Sequence, residues 1–158
     1  MKKFQTYSLG LTQAKSFRLF KYKADQVLKE YGINSIEWAT LGIIYDDNKN
    51  CIDINKKQIA GKLGLKKPFI TKLIQSLKRK KLLKEVPNIK DLRSENIVLT
   101  DKGSLFVENV EKNIYEMYSK FLFAIGEEEF FNYYKFIQKV AFYSDSLQKE
   151  FTLNDLKA

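Results

Sequence analysis

Asn55-Lys56-Lys57-Gln58-Ile59-Ala60-Gly61-Lys62-Leu63-Gly64-Leu65-Lys66-Lys67-Pro68-Phe69-Ile70-Thr71-Lys72-Leu73-Ile74-Gln75-Ser76-Leu77 is the stretch on which the fold turns. Asn55 can cap a helix, with Gln58 placed to reach back to it, and Ile59, Ala60 and Leu63 give that helix a buried side. Gly64 breaks it. A following helix is predicted from about Lys67 to Lys80. At 100° per residue its Ile70, Leu73, Ile74 and Leu77 share one face, while Pro68, Lys72, Gln75 and Arg79 lie opposite, flanked by Lys67 and Thr71. Two short helices that cross at a small residue, Ala60, and meet at a glycine turn make a helix–turn–helix.

The charge of the chain is concentrated in the same place. Lys56 through Arg93 contains thirteen Lys/Arg and two acids, Glu85 and Asp91, a net +11, so the other 120 residues sum to −2 within a total of +9. The general preference for lysine (25 Lys to 3 Arg) would raise charge everywhere and does not explain this segregation. Clustered cations form a polyanion-binding surface because they displace counterions from phosphates.

An apolar back with a cationic front suits a helix lying in a major groove, although an ordinary amphipathic surface helix is the alternative when this helix is taken alone. Lys72 can donate to guanine or to phosphate, and Gln75 can pair with an adenine edge. Pro68 is tolerated because first-turn amides are unpaired in any helix. Lys66, Lys67 and Lys90 read as phosphate holders, and Phe69, the one aromatic between residues 56 and 93, joins the candidate contacts. The run Lys78-Arg79-Lys80-Lys81 suits a helix C-terminus, where cations complement the macrodipole. It is expected to meet phosphate or solvent rather than to read bases.

Outward from this core, Phe17, Phe20, Ala24, Val27, Leu28 and Tyr31 predict a long first helix over roughly 12–31, ended by Gly32. Asn34 can cap a second helix, with Glu37 reaching back and Trp38, Leu41, Ile44 and Tyr45 on its apolar face. Asp46 to Asn50 reads as a polar loop and Cys51 to Ile54 as a short strand. Leu83–Val86 and Asn96–Leu99 predict a β-hairpin, with Pro87 pushed toward an edge. Thr100 can cap a fifth helix carrying Val107, Val110, Ile114, Met117 and Phe121. Gly126 separates it from a sixth, where Phe130, Tyr134, Ile137 and Ala141 face one way. Thirteen of the 22 aromatic residues fall in 104–151. Terminal helices so apolar have more surface than one small domain hides, which points to self-association.

Composition also excludes. With no His at all, His-based triads, His-ligated metal sites and imidazole acid–base chemistry are absent. No cofactor or metal is implied, and Asp46-Asp47 and Glu127-Glu128-Glu129 read as loop and helix-start charges rather than catalytic pairs. The sequence therefore does not read as an enzyme. The lone Cys51 excludes an intrachain disulfide and fits a reducing cytoplasm. A semi-buried, inert thiol is expected there, the alternative being a reactive one whose pKa Lys56 and Lys57 lower. No run approaches the ~20 apolar residues of a membrane span, and the start lacks the apolar core of a signal peptide.

Asp91-Leu92-Arg93-Ser94-Glu95-Asn96-Ile97-Val98-Leu99-Thr100-Asp101-Lys102-Gly103 fits D-x-R, a strand, then L-T-x-x-G. With this motif placed after the helix–turn–helix, the chain resembles the MarR family of winged-helix transcriptional regulators. Gly32 to Leu41, Leu63-Gly64-Leu65, Ile70-Thr71-Lys72-Leu73 and Leu77 carry the resemblance over nearly the whole chain. It implies a mainly α fold with a small β-hairpin wing, in which a winged helix–turn–helix (34–100) lies between an N-terminal dimerisation helix (1–33) and C-terminal dimerisation helices (101–158) in a single compact fold. It further implies a symmetric homodimer on a pseudo-palindromic double-stranded operator, with half-sites about one helical turn apart. Arg93 would enter the minor groove from the wing tip while Asp91 steadies it, and a narrow minor groove does attract Arg. A small-molecule effector pocket between the dimerisation helices and the winged region is the family's habit. Two positions depart from the pattern: Lys81 stands where Gly is frequent, and Pro68 where a small polar residue is.

The function expected is thus a cytoplasmic, dimeric, sequence-specific DNA-binding regulator, a repressor answering an unidentified signal. The alternative is a winged-helix protein-interaction module without specific DNA binding. A single-strand or RNA binder fits less well, since such proteins stack bases on several aromatic rings.

Overall fold

The computed structural model describes residues 6–89 and 93–155. Its elements run α1 (Thr6–Glu30), α2 (Ser35–Lys49), α3 (Lys56–Leu63), α4 (Lys67–Arg79), β1 (Leu83–Pro87), β2 (Glu95–Leu99), α5 (Asp101–Ile125) and α6 (Glu127–Asp155). The fold is mainly α with a two-stranded antiparallel hairpin, as the sequence implies. By internal contacts the chain forms two compact units, 1–115 and 116–158, and α5 runs through the boundary.

Both expected capping boxes form. The Asn34 side chain accepts from the amides of Ile36 and Glu37, and Glu37 returns a bond to the Asn34 amide. Asn55 and Gln58 do the same at α3. Each box satisfies amides that the first turn leaves unpaired. Thr100 caps α5 by accepting from the Gly103 amide at 2.9 Å.

Four helices end with one geometry. The amides of Gly32, Cys51, Gly64 and Lys81 each bond a carbonyl three residues back, at 2.8–3.2 Å, and the amide after each bonds a carbonyl five residues back. This is the Schellman turn, which places its pivotal residue in the left-handed region. Gly32 (φ 66°) and Gly64 (φ 63°) suit it, whereas Cys51 (φ 57°) and Lys81 (φ 60°) hold the same conformation with a Cβ present, at roughly 1–2 kcal/mol each. Lys81 therefore ends α4 as a glycine would, and its departure from the family pattern leaves the path of the chain unchanged.

Several expectations are corrected here. The first helix already includes Thr6 rather than starting near residue 12, because Gly10 weakens a helix interior by only about 1 kcal/mol and does not stop it. Asp46–Asn50 is not a loop. Helix α2 continues through Lys49, and the polar side chains that suggested a loop are bonded: the buried Asp47 takes Lys62 on both oxygens at 2.7 Å. Cys51–Ile54 forms no strand, since Cys51 is in the left-handed turn. Only the end of that segment pairs, through Ile97 N–H to the Ile54 carbonyl at 2.7 Å and a bridge between Asn55 and Asn96. Cys51 is exposed rather than semi-buried, because the turn that closes α2 points outward. Finally, α4 stops at Arg79, one residue short.

The core of the first unit joins Leu28, Leu41, Ile44, Ile59, Ile74, Leu77, Ile97 and Val110, all essentially inaccessible. Burying one such side chain contributes about 1.5–3 kcal/mol. The first half of α5 closes this core. Its Phe106 meets Tyr31 edge-on at 5.6 Å, and its Glu108 accepts from the Tyr45 hydroxyl at 3.0 Å. Gly103 makes the approach possible: a Cβ there would lie 2.1 Å from the Leu82 carbonyl oxygen and 3.0 Å from a Leu99 methyl. The glycine of L-T-x-x-G is thus where α5 crosses the base of the hairpin.

In β1–β2 the register pairs Leu83 with Leu99, Glu85 with Ile97 and Pro87 with Glu95. Pro87 is the last pair of the ladder, where a missing N–H does least harm. In the second unit, Tyr118 and Phe130 stand 6.5 Å apart, while Phe123, Phe131, Phe136, Phe142 and Tyr143 are exposed. Among the described residues no helix is long and apolar enough to cross a membrane.

Candidate nucleic-acid interface

Helix α4 has the two faces that its sequence requires. Ile70, Leu73, Ile74 and Leu77 are buried, while Lys66, Lys67, Pro68, Phe69, Lys72, Gln75 and Arg79 are exposed. Lys66 precedes the helix without capping it by its side chain, and Pro68 stands in the first turn. Thr71 is half-buried, and its hydroxyl donates to the Lys67 carbonyl at 3.1 Å. The start of α4 therefore sets two exposed lysines beside the positive end of the helix dipole, a setting that favours anions.

A groove of about 650 Å³ runs beside this face, lined by Asn55, Lys56 and Lys57 from the start of α3, Lys67 and Thr71 from α4, and Arg93, Ser94 and Glu95 from the hairpin. It brings together elements that are 36 residues apart in sequence, from Lys57 to Arg93. Arg93 is exposed in the turn that leads into β2. Lys90 and Asp91 lie outside the described residues, and with them the expected Asp91–Arg93 support. The lining residues that sequence reasoning missed are Asn55, Lys56, Lys57, Ser94 and Glu95. Lys57 directly follows the α3 cap in the basic stretch, which was the available signal.

The basic stretch separates into cations with acidic partners and cations without. Lys62 bonds Asp47. Lys56 bonds Glu85 at 2.5 Å and lies 3.8 Å from Glu95, and Lys78 bonds the other oxygen of Glu85. Glu85 thereby ties α3, α4 and the hairpin together, and the two lysines hold its carboxyl below the usual carboxylate range against the opposing effect of burial.

Lys80 donates to both oxygens of Glu37, at 2.8 and 2.9 Å, and to the Gly32 carbonyl at 2.8 Å. Ser76 adds a further bond to Glu37 at 3.0 Å. Burial pushes the Glu37 carboxyl up, but Lys80, the Asn34 amide and Ser76 outweigh it and leave it below its ordinary value. Within the Lys78–Lys81 run, Lys78 and Lys80 are consequently structural ties that fix the end of α4 rather than phosphate or solvent contacts, while Arg79 and Lys81 are exposed. Partners seven and 43 residues away are invisible to a local reading of a lysine run. Among the described residues, Lys57, Lys66, Lys67, Lys72 and Arg79 make no ion pair with an acid, and the cations from α4 flank its exposed face.

No protein-family model matches the sequence. Among solved structures, the chain is similar to Staphylococcus aureus MepR, a transcription regulator of the multidrug efflux pump MepA, with 26% identity, coverage of 87% of this chain and 96% of that one, and a TM-score of 0.66. A MepR–DNA complex from the same organism matches at 27% identity over 88% and 97% of the two chains, with a TM-score of 0.66. A MarR-family transcriptional regulator from Rhodococcus sp. RHA1 shares the fold at a TM-score of 0.74 and 14% identity, over 89% and 97%. Six helices in this order, a hairpin between the fourth and fifth, and these likenesses give the chain a winged-helix fold like that of MarR-type regulators.

Proposed function

We propose that this protein is a dimeric, sequence-specific DNA-binding transcriptional regulator that acts as a repressor and answers a chemical signal. The observation that carries the reading is the sorting of charge. Lys56, Lys62, Lys78 and Lys80 are bonded to acids, whereas Lys66, Lys67 and Lys72 beside the exposed face of α4 make no ion pair with an acid among the described residues and are left for an outside anion. A protein that needed positive charge only for solubility would gain nothing from that division.

In this reading α4 enters a major groove. Thr71, Lys72 and Gln75 meet base edges, and Lys66, Lys67 and Arg79 meet flanking phosphates. Arg93 reaches the adjoining minor groove, Lys90 and Asp91 remain candidate contacts near it in sequence, and Lys57 adds a phosphate contact from α3. That the similar MepR has been solved with DNA supports the same use of the fold here. Dimerisation is supported by the exposed apolar side chains of the terminal helices, such as Leu11, Phe17, Phe123 and Phe142.

A mobility-shift titration with a duplex selected from a random pool tests this. The shifted species should hold two copies of the chain per duplex, and Arg93→Ala should weaken binding about tenfold or more. Binding that ignores sequence and is indifferent to Arg93→Ala would overturn the proposal.

A further inference from the structure

The first turn of α4 carries an apolar element that the charge pattern does not explain. Phe69 is 45% exposed in the first turn, although it is the one aromatic in the basic stretch and has a large apolar surface to hide. Pro68 is exposed beside it. The hydroxyl proton of Thr71, two residues on, is bonded to its own helix, which leaves a methyl and an acceptor lone pair. None of these three can donate to the O6 and N7 acceptors of guanine.

The only arginine of α4, Arg79, is its last residue, some 18 Å along the axis from Lys67 at 1.5 Å per residue. It is remote from the N-terminal turns that reach base edges in such helices. Lys72 is a single-point donor and serves a phosphate equally well. Gln75, on the exposed face, has the paired donor and acceptor that match adenine N7 and N6. A ring and a proline in a cationic surround fit a surface that is apolar within a polyanion, and the thymine C5-methyl groups on the major-groove floor are such a surface.

Resting on the DNA-binding reading above, we infer that the first two turns of α4 read A·T pairs. Phe69, with Pro68 and the Thr71 methyl, packs on thymine methyls, and Gln75 pairs with an adenine. Phe69 is then a specificity-determining residue rather than a misplaced core residue.

The test uses the full-length protein and its selected duplex. Selection from a random pool should return a half-site with consecutive A·T pairs under α4. Replacing each of those thymines by deoxyuridine removes only the methyl and should weaken wild-type binding about three- to fivefold per contacted base. Phe69→Ala, at an exposed site, should weaken binding to the thymine duplex by about tenfold and then lose less than wild type does on the deoxyuridine duplex. A G·C half-site core, or wild-type affinity unchanged by deoxyuridine, overturns this inference and leaves the regulator reading standing. Failure to select any duplex overturns the regulator reading itself.

Discussion

Gly103→Ala is expected to destabilise the protein by about 3 kcal/mol, the upper range for overpacking, and to lower its thermal midpoint accordingly. The added Cβ would meet backbone, the Leu82 carbonyl oxygen at 2.1 Å, and a Leu99 methyl at 3.0 Å. Neither neighbour can step aside cheaply. Leu82 follows the left-handed Lys81 and is itself held, its carbonyl accepting from the Thr100 amide at 3.1 Å. Relief would require α5 to lift from the base of the hairpin, which would open the contacts of Val107 and Val110 with the core. Chemical denaturation of Gly103→Ala and wild type, with equal m-values required for the comparison, measures this directly. A loss below about 0.5 kcal/mol would mean that α5 does not pack there.

Replacing Glu37 is the second large effect. Glu37→Ala removes the acceptor of Lys80, Ser76 and the Asn34 amide at once, leaving a lysine one-third exposed and two donors with no partner. Loss of hydrogen bonds to a charged group costs about 1.5–3 kcal/mol each, and breaking a buried pair 3–5. Because Lys80 can regain some water, about 2–3 kcal/mol is expected for the whole substitution. Denaturation of the variant provides the value.

The pH dependence has a definite sign. Glu37 and Glu85 both titrate lower folded than their ordinary value of about 4.3. As pH falls, the unfolded chain takes up these protons first, so their contribution is fully present above that value and is lost as pH drops through the lower folded values. Stability should therefore hold from neutral pH down to about 4.5 and decline below it. Glu37→Gln should make the decline shallower. A wild-type decline that Glu37→Gln leaves as steep would remove Glu37 from the account.

These two residues mark where the sequence was readable and where it was not. The capping boxes at Asn34 and Asn55 were legible because both partners lie within four residues of each other. The buried and exposed faces of α4 were legible from spacing alone, and so was the hairpin. The importance of Glu37 was visible only as a cap, because its second partner, Lys80, is contributed by a different helix. The same blindness made Lys78 and Lys80 read as phosphate or solvent contacts. The polar Asp46–Asn50 looked like a loop because the partner of Asp47, Lys62, lies on α3. Left-handed turns at Cys51 and Lys81 went unseen because glycine is their usual marker. For the candidate site, the α4 residues and Arg93 were found from pattern and motif. Lys57 was missed because its place beside Arg93 depends on how the hairpin folds back over α3.

The central claim is that the cations left without acidic partners beside the exposed face of α4, rather than the bulk +11, engage phosphates or bases. The salt dependence of binding to the selected duplex tests it most directly, because each phosphate contact contributes about 0.9 to the slope of log K against log salt. Lys72→Ala and Lys62→Ala remove the same charge, one from the exposed face of α4 and one from a pair with Asp47. The account expects Lys72→Ala to weaken binding and, where Lys72 holds a phosphate, to flatten the slope by about 0.9, while Lys62→Ala leaves both near wild type. Equal changes in the two variants, or none in either, would contradict it.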